Sequence, residues 1–125
     1  MGVENNECIL ATTCNLKAVE QIKEWVETLP ISSQNLFAFI PTLVNEKITI
    51  VLGPDGSKKG WIEATRGEAL RRAFIEELKR FNFSDGSNSF DFVGVGYGEY
   101  GQKILCGNCK TDMTTKNILG RRNEN

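Results

Sequence analysis

Leu16, Val19, Ile22, Trp25, Val26 and Leu29 recur in steps of three and four, with Lys17, Glu20, Lys23, Glu24 and Glu27 between them. That spacing predicts a helix with one buried face. Asn15 or Thr13 can cap it, and Pro30 stops it. The preceding residues, 1–14, read as a polar start with a short apolar patch around Cys8-Ile9-Leu10. After the helix the pattern changes. Leu36 to Val44 and Lys47 to Leu52 are rich in β-branched and aromatic residues, and Asn45-Glu46 between them suits an antiparallel hairpin. Pro41 has no amide to donate, so its strand is expected at an edge or with a bulge.

A turn-rich loop, Gly53 to Gly60, leads to a second helix. Thr65-Arg66-Gly67-Glu68 has the form of a capping box that would start it. Leu70, Phe74, Leu78 and Phe81 give its apolar stripe, and Arg72, Glu76 and Arg80 alternate in sign on the other side. Ser84 to Asn88 is a further turn; Phe90 to Tyr97 and Gln102 to Cys106 then read as a hairpin with Glu99-Tyr100 at its tip. Both halves run helix, strand, strand, and Ile50-Val51-Leu52-Gly53 falls where Ile104-Leu105-Cys106-Gly107 does. The expected fold is therefore α+β in two layers, order α-β-β-α-β-β: a four-stranded antiparallel sheet with two helices on one face. Residues 1–119 form the expected single domain, and 120–125 a flexible tail.

Composition narrows the class without choosing a function. The chain has 125 residues, 40% hydrophobic and 25% charged, with a net charge of −1. Those values suit one globular domain and exclude a disordered chain. No global field draws it to nucleic acid or to an acidic membrane. No apolar run reaches the length of a membrane helix, and the first residues have neither the basic nor the apolar part of a signal peptide. Gly2 fails as a myristoylation site because Asn6 stands where Ser or Thr is needed. Asn82-Phe83-Ser84 matters as a glycosylation acceptor only under secretion. The expected compartment is the cytoplasm, where cysteines are thiols or metal ligands.

Charge is unevenly spread. Residues 1–34 hold five glutamates against two lysines, while 57–80 hold seven basic residues against four glutamates. Lys58, Lys59, Arg66, Arg71 and Arg72 with Trp61 compose a candidate patch for an acidic protein partner or for phosphates and bases; a solvated helix end has the same composition.

Cys106-Gly107-Asn108-Cys109 places two thiols at knuckle spacing. The chain has four cysteines and no histidine, so a zinc site would need Cys8 and Cys14 as the other two ligands. A disulfide or redox pair, or ordinary thiols with Cys8 as a small buried hydrophobe, are the alternatives. Gly94, Gly96 and Gly98 bare one face of their strand, which fits close approach by Trp25 or Phe74 better than a nucleotide loop. Asp55-Gly56-Ser57 and Asp85-Gly86-Ser87 have the composition of turns more than of metal or phosphate loops.

Without histidine the commonest general base is missing, and no nucleophile arrangement stands out. The sequence therefore points away from an enzyme and from a resident cofactor. It points to a non-catalytic protein-binding module (an adaptor, inhibitor or immunity-type protein) acting through a sheet edge near Leu36 to Val44 or through the basic patch. A small zinc-stabilised or basic-patch nucleic-acid-binding protein is the alternative.

Overall fold

A computed structural model describes residues 3–109, the side chains at 3, 4 and 59 excepted. The expected tail at 120–125 and the end of the expected domain lie outside the described residues.

The architecture is α+β, with one antiparallel sheet and its helices on one face. The sheet differs from the expected one in a single decisive respect: an unforeseen first strand, β1 (Val3–Thr13), lies at its centre. Helix α1 (Leu16–Glu27) and a single helical turn, α2 (Ile31–Gln34), follow. Next come β2 (Phe37–Pro41), β3 (Ile48–Leu52) and the two-residue β4 (Lys58–Lys59). Helix α3 (Ile62–Lys79) and the hairpin of β5 (Asp91–Gly98) and β6 (Gly101–Gly107) complete the described chain. Strand order is β2-β3-β1-β5-β6, with β4 paired to the start of β1.

β1 runs past two partners at once. Ile9 to Thr13 pair with Leu52 to Ile48 on one side, and Asn5 to Thr12 with Gly98 to Asp91 on the other. Alternation then decides the layers, because successive strand residues point to opposite faces. Ile9 and Ala11 face the helices with Ile50, Leu52 and Phe92, and pack there against Ala18, Ile22, Val26, Phe74 and Leu78. Trp25, Phe37 and Phe74 close one end of that core, with ring centroids 5.2–6.2 Å apart.

The caps divide. Asn15 caps α1 as expected, its Oδ1 accepting from the Ala18 amide at 3.1 Å. Thr13 instead ties the end of β1 to the far half of the chain, donating to the Ser89 carbonyl at 2.7 Å. The capping box at Thr65 and Glu68 does not form. α3 begins a turn earlier, after Trp61 and without a side-chain cap, and Glu68 pairs with Arg72 one turn on. β2 is an edge strand, as Pro41 suggested, but ends at Pro41, and residues 42–47 make the turn with Asn45 and Glu46 at positive φ. The likeness between the halves is not positional: Ile50–Leu52 lie beside the central strand, whereas Ile104–Cys106 lie at the sheet's edge. No described helix is long and apolar enough to cross a membrane.

Candidate functional site

Two surfaces have the composition of a site, one on each side of the sheet. On the helix side a groove of about 530 Å³ runs between α3 and the strands β1, β5 and β6. Its floor is low because Gly94 and Gly96 contribute no side chains. The space is claimed from the neighbouring edge strand. A Cβ at Gly94 would lie 2.6 Å from the Cys106 Sγ, and one at Gly96 would lie 3.4 Å from Leu105. The glycines therefore admit Cys106 and Leu105, not Trp25 or Phe74 as the sequence suggested. A register shift between Gly94 and Val95 lets these consecutive β6 residues both reach this side.

One wall of the groove is held by Arg71, whose side chain is only 16% exposed. Its Nε lies 3.4 Å from Glu7 on β1, and its Nη1 lies 3.4 Å from Asp55 in the loop before β4. Asn5 donates to the other Glu7 oxygen at 3.0 Å. Glu7 points inward on the central strand, and Arg71 is what makes a carboxylate tolerable there. Gly67 completes the arrangement: a methyl group at that position would overlap the Asp55 carboxylate. Burial pushes the Asp55 carboxyl up, but hydrogen bonds from Ser57 and the Arg71 charge outweigh it and hold the group below its ordinary value. A carboxylate so held stays ionised at neutral pH and has no proton to give.

The Ser57 Oγ donates to the Asp55 Oδ1 at 2.6 Å, with the Ser57 amide donating to the same oxygen at 2.8 Å. Taken alone, a serine against a half-buried carboxylate resembles part of a nucleophile pair. The other Asp-Gly-Ser segment argues against that. Ser87 makes the same two bonds to Asp85, at 2.6 and 2.9 Å, in an exposed turn. Both are side-chain-closed turns with a glycine at positive φ, Gly56 and Gly86. Turn chemistry explains them.

The six residues of the basic patch do not share one open surface. Trp61 and Arg66 are exposed at the start of α3, and Lys58 is half-buried on β4. Arg72 is engaged by Glu68, and Arg71 is turned inward between two carboxylates. Arg71 is thus an internal strut, a correction to its reading as a docking residue. The Lys59 side chain lies outside the described residues.

The cysteines are likewise dispersed. Cys8 alternates with Ile9 on β1 and so faces away from the helices, where it is half-buried and burial pushes its thiol up. Cys106 faces the helices over Gly94. Cys14 follows the far end of β1, and Cys109 follows β6; both are exposed. Cys8 and Cys106 lie on opposite faces of the sheet. Among the described residues no three of Cys, Asp and Glu form a group able to hold a metal.

The second surface is the side of the sheet that no described helix covers. Leu10 lies at its middle, opposite Val51 on one neighbour and Val93 on the other. Cys8 lies opposite Val95, which in turn lies opposite Ile104. Edge strand β2 adds Ala38 and Ile40. Along one end Thr12 and Thr49 share a hydrogen bond of 2.8 Å. Leu10, Ile40 and Ile104 are exposed, Ile104 to 75%. Sequence reading missed this surface because it depends on β1: once Ile9 is inward, Leu10 and Cys8 must be outward.

The chain matches no protein-family model, and no curated protein or solved structure is detectably similar to it. Its function must be read from these surfaces.

Proposed function

We propose that the protein is a non-catalytic protein-binding module, of the adaptor, inhibitor or immunity type, working through the uncovered side of its sheet. One observation carries the reading: five strands present a connected apolar surface from Ile40 through Leu10 to Ile104 with no described element packed on it. Contiguous exposed apolar area of this kind is a mark of association. The helix-side groove supports chemistry poorly, since its polar groups are committed to one another. The basic patch supports docking less well, because Arg71 is turned inward and Arg72 is paired with Glu68.

Replacing Leu10 by lysine puts a charge at the middle of the surface without touching the core. Wild type and Leu10→Lys, both checked for folding by circular dichroism, are used as baits in native lysate at moderate salt. Proteins retained by the wild type and lost by the variant are the expected result. Equal retention by both would remove this surface as a docking site for other proteins. A gel shift with random DNA or RNA that fades steeply as salt rises would favour the nucleic-acid alternative.

A further inference from the structure

We infer that the uncovered sheet face pairs with the same face of a second copy of this chain, forming a two-fold sandwich with the helices outermost. The inference rests on the protein-binding reading and names the partner.

Charge is the first argument. Strand residues at the middle of this face are apolar or neutral polar; among the described side chains the charged ones lie at its margins, Asp91 at the end of β5 and Lys58 beside the start of β1. A charged partner would find little to complement at the middle of the face. An uncharged surface of Leu and Val has its best match in a surface of the same kind. A two-fold axis supplies that match, setting one patch against its own copy.

Area is the second. Five strands at about 4.8 Å spacing and about 20 Å of strand length give a face of roughly 500 Å². Two such faces together bury on the order of 1,000 Å², about the threshold for a specific interface. Sheets packed face to face stand about 10 Å apart with strands some 30° from parallel, the separation that interdigitated Leu and Val side chains fill.

The third argument is that the edges offer self-pairing less. β2 ends in Pro41 and is five residues long. β6 carries a bulge beside Leu105 and a lysine at Lys103. Proline, bulges and lysine are the devices that keep sheet edges from joining.

Sedimentation equilibrium on the full chain tests the pairing, alongside three variants. Leu10→Lys alters the middle of the face and Ile104→Lys its β6 side, where the 75% exposure of Ile104 means that the substitution costs the monomer little. Leu43→Lys, at a side chain 99% exposed in the β2–β3 turn, is the control. The wild type is expected to sediment at twice the 14.0 kDa chain mass, with a Kd at or below about 10 μM. Leu10→Lys and Ile104→Lys should each raise that Kd at least about tenfold, because a lysine trapped in the sandwich is desolvated without a partner. Leu43→Lys should leave it unchanged.

A wild type that stays monomeric overturns the inference, as does a dimer indifferent to both face variants. The two readings fail separately. A monomer that still loses its lysate partners on Leu10→Lys refutes self-pairing but not the docking face. A monomer in which Leu10→Lys changes nothing refutes both.

Discussion

Asp55 ties a loop of the sheet layer to the long helix. It closes its own turn through Ser57 and receives Arg71 from α3. Its folded-state pKa is lowered, so the unfolded chain binds more protons than the folded one as pH falls through the acidic range. The contribution is fully present above the ordinary aspartate value of about 3.9 and is lost as pH drops through the lowered one. Asp55→Asn should therefore destabilise the protein at neutral pH, and its deficit against the wild type should shrink below about pH 4. Urea unfolding at a series of pH values measures this; a deficit constant with pH would show that Asp55 acts by shape alone. Little of this was legible in advance. Arg71 looked like one more basic residue in a basic stretch, because nothing in its neighbourhood along the chain reveals that Glu7, 64 positions earlier, faces it.

α3 and β1 illustrate opposite limits of local pattern. Both hairpins were readable, since each needs only two alternating runs and a turn, and the stripe of Phe74 and Leu78 located α3. Its start was misplaced because Thr65 and Glu68 have capping-box spacing, yet the helix begins at Ile62 and Glu68 pairs with Arg72 instead. β1 was unreadable for a different reason. A central strand is apolar on both faces only where both are covered or docked, and here that is the four residues Cys8 to Ala11. Its first half, with Asn5, Asn6 and Glu7, has poor strand propensity and is held by β5 along one side and, at Val3 and Glu4 alone, by β4 on the other.

Gly67 is the one feature of α3 that signalled a close approach. A glycine inside a helix costs about 1 kcal/mol against alanine, which something must offset. Gly67→Ala should nevertheless destabilise, by about 1–2 kcal/mol net, since overpacking typically costs more than the propensity gained. Displacing Asp55 would also loosen Arg71 and, through it, Glu7. Chemical denaturation decides the sign, and a more stable variant would mean that the loop yields freely.

The two-layer fold leaves one question that its helices do not answer, namely what covers the other side of the sheet. Fold class, antiparallel pairing and the placement of helices on one face were all available from periodicity. The uncovered face was not, because it is defined by which strand lies in the middle, and register propagates from there to every exposed side chain. The cysteine and basic-residue constellations drew attention along the chain, but the sheet separates the first and α3 internalises part of the second.

Methyl-resolved NMR across a dilution series asks directly whether the uncovered face is where the protein associates. Resonances of Leu10, Val51, Val93 and Val95 should move together as concentration falls, while those of Ile22, Ile50 and Leu78, sealed between sheet and helices, stay in place. Shifts confined to α3 or to the β2–β3 turn, or no shifts at all, would contradict it.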